Sequence, residues 1–397
     1  MRCFPTGLRA LAVSLIGLSP LLGQPVDYYA SAVGLTGTPL KTALEGIIDG
    51  HSVLSYTPGV WEAHKDLYED PDNPANLILF YSQASISKAL QDSGSSPGTY
   101  FNREHLWPRS YGVGSSGADN TDLFHLVPAY KGVNSDRGNQ YFDYSDPNAS
   151  GYADPANTLA PDCTEDNNSW EPADAQKGWV ARAMLYMTTR YNYLDLVDTP
   201  PSPAPNTSSS RMAQLSVMLE WNRKFLPSDK ETDVCQRIFD NYQGNRNPYI
   251  DFPEFADLVW VSGPSWGGWR MEHFSLQELT DDLVSGDLAD PDADGLNNLM
   301  EMARYSDPRT PETDTVIDFI EDGGSLIIRF IRANDTNNLN LDLILEESQN
   351  LVDWAPTSLE GASTTSLDSN RERVDVQVVA SPQEPRFFRL RAIRPAL

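Results

Sequence analysis

The residues best suited to chemistry crowd into one polar stretch between positions 100 and 142. Of the five histidines, His105 and His125 fall there, while His51, His64 and His273 carry no motif. The stretch reads Phe101-Asn-Arg-Glu-His-Leu-Trp-Pro-Arg-Ser110, then Asp122-Leu-Phe-His-Leu-Val-Pro128, then Gly132-Val-Asn-Ser-Asp-Arg-Gly-Asn139. Glu104 and His105 are adjacent, which sets a carboxylate fit for a hard cation beside an imidazole fit to take a proton from water. A Glu-His pair alone is weak; the apolar run Leu123 to Val127 and the Gly-opened segment after it, rich in Asn, Asp and Arg, add a strand and a helix start that could present it.

A second concentration of ligand chemistry lies further on. Asp290, Asp292 and Asp294, with Gly295 and then Glu301, match the calcium-loop pattern of carboxylates at positions 1, 3, 5 and 12 with Gly at 6. Leu296 would offer its carbonyl and Asn298 the ninth position. Between Ser275 and Glu301 there are eight acids and no Lys or Arg, so the segment repels itself unless a cation is bound. The bland alternative is a solvated acidic turn capping a helix over 296–303. The segment resembles the Asp-rich calcium loops that precede C-terminal sandwich modules in secreted bacterial proteins, and Glu347-Ser348 with Leu351 and Trp354 fits such a module.

These residues need elements to position them. At 397 residues, with 40% apolar and 21% charged side chains, the chain is an ordinary globular protein of more than one domain. Its net charge of -27 excludes a protein that grips nucleic acid over its whole surface, though not one with a local basic groove. Residues 1–23 pair Arg2 and Arg9 with an apolar run ending in Gly23, which reads as a signal peptide of a secreted or periplasmic protein. No stretch reaches the length of a transmembrane span. Cys163 and Cys235 would then be the exported cysteines and are candidates for a disulfide, with two buried thiols as the alternative.

Apolar spacing predicts amphipathic helices over 38–48, 174–193, 212–225 and 231–242, and a Pro-rich and Ser-rich surface loop over 199–210. After Arg304 the period becomes two: Leu341, Leu343 and Leu345 alternate with polar or outward residues, as do Val374, Val376 and Val378. The fold class is therefore α+β, a mainly helical domain followed by a small all-β sandwich. The expected division is 1–23 signal peptide, 24–274 catalytic domain, 275–311 acidic junction and 312–397 sandwich module.

Several spaced motifs, in order, resemble the endonuclease I family of secreted and periplasmic nonspecific nucleases, within the ββα-metal or His-metal finger superfamily. They are Tyr28-Tyr29, Gly34-Leu-Thr-Gly37, Asn102-Arg-Glu-His-Leu-Trp-Pro-Arg-Ser110, Val133-Asn-Ser-Asp-Arg-Gly-Asn139, Trp170-Glu-Pro172, Lys177-Gly178 and Gln243-Gly-Asn-Arg-Asn-Pro-Tyr-Ile-Asp251. The sequence departs from the pattern at Phe252 and Phe124, where His is common, and at Cys235-Gln236, where Arg-Asn is usual.

The resemblance implies His105 as general base and Glu104 and Asn134 as magnesium ligands. Arg103, Arg109 and Arg137 compete to hold the scissile phosphate, with Arg109 favoured. It implies His125 as a supporting histidine, and Asp136 and Asn139 as braces of the finger helix. Water attack at phosphorus would expel the 3' oxygen and leave a 5' phosphate. No 2'-hydroxyl is needed, so DNA is admissible as substrate and RNA as well. The expected activity is a magnesium-dependent, sequence-nonspecific endonuclease with a calcium-stabilised tail. The alternatives are an extracellular ribonuclease and a calcium-stabilised surface-binding protein whose nuclease-like domain is inert.

Overall fold

One helix, Asp174–Arg190, organises the first two thirds of the molecule, because it is buried on nearly every face rather than along one stripe. The expected stripe of Val180, Ala183, Met184 and Met187 is buried, but so are Gln176, Lys177, Arg182, Thr188 and Thr189 on its other faces. The reason is the number of partners: the helices Gly37–Ile48, Leu215–Lys224 and Pro248–Asp251 all pack on it. The structure, a computed structural model, describes residues 26–199, 210–212, 214–313, 315–322, 325–334, 339–379 and 385–394. The leader-like segment 1–23 and nearly all of the loop 199–210 lie outside the described residues.

The buried charges at the centre of this bundle are paired, as burial demands. Arg182 reaches Glu231 with Nε and Nη2 at 2.7 and 2.6 Å, and its Nη1 donates to the Phe225 carbonyl at 2.8 Å. The two charges thereby tie the central helix to Asp229–Asn241, whose N-terminus is capped by the Ser228 hydroxyl. The same carbonyl of Phe225 is why residue 178 is glycine: a Cβ there would lie 2.0 Å from it. Helices Gly59–Leu67, Glu254–Trp260 and Trp266–His273 were not legible from spacing, being short and partly buried on polar positions.

The finger sits on this bundle. Strands Phe101–His105 and Leu126–Tyr130 pair antiparallel, with His105 opposite Leu126 and Phe101 opposite Tyr130. The helix Lys131–Arg137 follows without a loop. The apolar run therefore enters its strand three residues later than Leu123, because Asp122 and the residues after it form a turn.

Beyond residue 274 the chain is strand-rich, and the fold is α+β as the alternation predicts. Two antiparallel sheets form: Asp318–Asp322, Ser325–Ala333, Arg371–Val379 and Ser363–Ser366 in one, and Ala355–Pro356, Asp342–Ser348 and Phe387–Ile393 in the other. Leu341, Leu343, Leu345, Val374, Val376 and Val378 are all buried, so the period-two reading picked the inward face correctly. The charge changes near residue 275, but packing does not stop there. Trp269 Nε1 donates to the Ser306 carbonyl at 2.9 Å, and Asn340 Nδ2 donates to the Arg223 carbonyl at 2.9 Å.

The two thiols do not form a disulfide. Cys163 and Cys235 are free and buried in different surroundings, Cys163 with Sγ 4.0 Å from the Tyr81 carbonyl and Cys235 on the helix Asp229–Asn241. Each fills its own part of the core as a small apolar residue. Where the family pattern has His, Phe252 packs edge-on against Tyr29 and Phe124 lies against Tyr186, so both have become core.

Gly178→Ala forces its methyl group into the Phe225 carbonyl. We expect it to lower unfolding free energy by about 1–3 kcal/mol or more, measured by denaturant titration; unchanged stability would show that the two helices separate easily.

Candidate active site

Glu104 is 2% exposed, and it is the last residue but one of the first finger strand. Its Oε1 accepts from the Tyr81 hydroxyl at 3.0 Å and lies 3.4 Å from Arg137 Nη1. Burial pushes the carboxyl up to about 7, against the pull of Arg137 and of the tyrosine hydroxyl. Since both partners engage Oε1, Oε2 is the atom open to a cation.

Asn134 sits on the finger helix with its amide nitrogen already committed. Nδ2 donates to Asn102 Oδ1 at 2.9 Å and to the Arg103 carbonyl at 3.3 Å. This puts the side chain one residue from Glu104 and leaves its carbonyl oxygen as the atom to offer. A buried, undercompensated carboxylate beside an amide oxygen is a donor set suited to a hard divalent cation. The set is sparse, which leaves coordination positions for other ligands.

His105 is held from two sides. Its Nε2 lies 3.1 Å from the Asn120 carbonyl, and the ring stacks on Tyr56 with centroids 5.9 Å apart. A carbonyl can only accept, so Nε2 carries the proton and Nδ1 keeps the lone pair. Burial, reinforced by His125, holds the imidazole well below the ordinary histidine range, so it is neutral at physiological pH. The ring is thus held in one tautomer, with Nδ1 as its acceptor nitrogen. His125 repeats the arrangement one step deeper, with Nε2 2.6 Å from the Asp119 carbonyl and its ring centroid 5.3 Å from that of His105.

The three arginines separate by environment. Arg137 is fully buried and donates to the carbonyls of His105 at 3.2 Å and Leu106 at 2.8 Å, which makes it a strap between helix and strand. Arg103 is half-buried, stacked 3.5 Å from the Tyr56 ring centroid and bonded to the Tyr56 carbonyl and the Thr57 hydroxyl. Arg109 is exposed, with Nε bonded to the Gly114 carbonyl at 2.8 Å, and it lies 5.9 Å from the Tyr56 ring. Asp136 and Asn139 do not cap the helix with their side chains: Asp136 accepts from Asn157 at 2.6 Å, and the Asn139 carbonyl accepts from Tyr111 at 3.0 Å.

Sequence reasoning passed over the residues that hold the base. Asp122 is fully buried and accepts four hydrogen bonds, from Phe124 N at 3.0 Å, Gln243 Nε2 at 3.1 Å, Tyr186 at 2.8 Å and Tyr191 at 2.9 Å. It fixes the turn whose carbonyls, at 119 and 120, receive the two histidines. The Asp122 to Phe124 contact is an Asx turn and could have been read locally; the tyrosines and Tyr56 come from distant segments and could not.

The junction residues form a separate cluster. Ligand oxygens of Asp290, Asp292 and Asp294 lie within 4.8 Å of one another, and neither carboxylate oxygen of the fully buried Glu301 accepts a hydrogen bond among the described residues. Burial and then Asp292, Asp294, Glu312 and Asp290 push the Glu301 carboxyl up to about 8. Leu296 donates its amide to Asp294 at 2.7 Å, and Asn298 donates Nδ2 to the Val284 and Gly286 carbonyls at 2.9 Å each.

Two antiparallel strands followed directly by a helix carry Glu104, His105 and Asn134, the arrangement of elements that the motifs imply. The endonuclease I family model matches residues 36–254, more than half of the chain, and the chain belongs to that family. It is therefore a nuclease. It is similar to the extracellular ribonuclease of Bacillus subtilis (strain 168), 44% identical over 261 residues, covering 64% of this chain and 85% of that protein. It is equally similar, at 44% over 238 residues, to the extracellular ribonuclease of Bacillus amyloliquefaciens, covering 59% of this chain and 78% of the relative.

Asp122→Ala strands two buried tyrosine hydroxyls and Gln243, and should destabilise the protein by about 1–3 kcal/mol per group left unpaired. Under conditions where the variant is folded, kcat should fall while KM stays near the parent value, because the base and not the substrate contacts is displaced; Asp122→Asn should recover part of kcat. A kcat equal to the parent's in the folded alanine variant would exclude this positioning role.

Proposed function

We propose that the protein is an exported, magnesium-dependent nuclease that hydrolyses phosphodiester bonds of DNA and RNA without sequence specificity, leaving 5' phosphates. The observation that carries the reading is the tautomer of His105: with Nε2 bonded to the Asn120 carbonyl, Nδ1 can only accept. Export is supported by the leader-like pattern of residues 1–23 and by the extracellular relatives. Among the described residues no helix is long and apolar enough to cross a membrane.

His105 takes a proton from the attacking water through Nδ1, and the Asn120 carbonyl and Tyr56 keep the ring from turning as it does so. Glu104 and Asn134 would hold the divalent cation, which supplies positive charge to the phosphate and to the departing 3' oxygen. Arg137 keeps Glu104 placed and favours its anionic form against the effect of burial. Arg109, whose guanidinium terminus is exposed, holds a phosphate oxygen of the substrate strand. Nothing in these steps touches the ribose 2' position, so both nucleic acids are accepted; the relatives' activity favours RNA as the better substrate. The match to the endonuclease I family and to two extracellular ribonucleases supports this reading over the binding-protein alternative.

His105→Ala should cut kcat by about 100-fold to 10,000-fold in a folded protein. Glu104→Ala and Asn134→Ala should each raise the magnesium concentration needed for half-maximal rate. Plasmid DNA and RNA, each digested with magnesium and with chelator, give the primary check: cleavage that persists in chelator sinks the metal assignment, and cleavage of one polymer alone narrows the substrate.

A further inference from the structure

A buried carboxylate with nothing to pair it is expensive, and Glu301 is such a group: it is 0% exposed, and among the described residues neither side-chain oxygen has a hydrogen-bond partner. It lies in the field of Asp290, Asp292 and Asp294, whose oxygens converge to within 4.8 Å, and Asp292 Oδ2 is likewise buried without a partner. Helix packing cannot account for a charged residue at this place, since the same helix, Asn298–Arg304, buries Leu299, Met302 and Ala303 by ordinary apolar contact.

We propose that Asp290, Asp292, Asp294 and Glu301 bind one calcium ion, and that this ion is the staple joining the nuclease helices to the tail sheets. The carboxylates supply most of the six to eight oxygens calcium takes at flexible angles, and the Leu296 carbonyl lies at the spacing that completes such a loop. Magnesium is a poorer fit, because it demands a small octahedral shell and gives up water reluctantly.

The stapling role follows from what the loop touches. Its helix packs on the strands Ser325–Ala333 and Phe387–Ile393, one from each sheet. Asn298 Nδ2 ties the loop back to the Val284 and Gly286 carbonyls, and the Glu312 amide donates to Asp294 Oδ2 at 2.7 Å. Next to these contacts, Asp287 makes a two-pronged ion pair with Arg394 at 2.6 and 2.7 Å, and Ser306, just after the helix, receives Trp269 of the nuclease. With calcium bound, four carboxylates hold the loop in the one shape that makes all of these contacts. Without it they drive the loop apart.

The test uses the full chain stripped with chelator and then titrated with calcium or magnesium, followed by calorimetry, thermal unfolding and limited proteolysis. Calcium is expected to bind once per chain, to raise the melting temperature by several degrees and to slow cleavage between the nuclease and the sheets; magnesium at the same concentration should do little of this. Glu301→Gln removes the buried charge while keeping the shape. It should be at least as stable as the parent in chelator and gain nothing from calcium, while its nuclease activity with magnesium is unchanged. Failure of calcium to bind or to stabilise the parent overturns the proposal, as does a Glu301→Gln variant that responds to calcium like the parent. Because nuclease activity is read separately, loss of the calcium effect is distinguishable from failure of the magnesium assignment.

Discussion

Arg137 carries the finger. From the last turn of its helix it spans the gap to the first strand, meeting the Glu104 carboxylate at 3.4 Å and the carbonyls of His105 and Leu106 at 3.2 and 2.8 Å. A buried guanidinium is tolerated when its charge is answered and its terminal donors are held in a fixed geometry, and here both Nη1 and Nη2 are engaged. The helix that bears Asn134 is thereby tied to the strand that bears Glu104 and His105. One side chain sets the spacing of all three residues, and the planar fork of an arginine suits it to these spread partners better than the single ammonium of a lysine.

The base depends on a second, deeper constraint. His105 and His125 both end on carbonyls of one short turn, and that turn is shaped by Asp122. The carboxylate is anchored by Tyr186 and Tyr191, from the buried central helix and the residue after it, and by Gln243. The helical bundle is therefore more than a platform. Its core sets the tautomer of the His105 imidazole through two successive layers of hydrogen bonds, and Gln243, far from the finger in sequence, belongs to the outer one.

What the sequence made legible follows from the range of the interactions involved. Alternation in the tail, and the Glu104, His105 and Asn134 pattern in the finger, are local or fixed by family motif, and the described structure places them on the strands and helix that such residues need. The strands Ala355–Pro356 and Ser363–Ser366 were missed because both are exposed and leave no apolar period to read. Tyr56, Tyr81 and the tyrosines around Asp122 were missed for the opposite reason: each acts across the fold, and nothing in its neighbourhood marks it. The disulfide was an inference from compartment alone, and compartment says nothing about where two side chains point.

The two acidic sites differ in donor density, and that difference underlies the separate metal roles proposed for them. At the finger one carboxylate and one amide oxygen are offered near His105, and Arg137 already answers part of the charge, which would suit an ion that must keep room for phosphate. At the junction the donors are four carboxylates with no basic side chain between Ser275 and Glu301 to answer them, which leaves an incoming ion saturated by protein. Arg103 and Arg109 stand beside Tyr56 and set positive charge on the finger of a chain whose overall balance is strongly negative. The junction has no such answer within its own segment, and there the repulsion among the carboxylates is what a bound calcium ion would relieve.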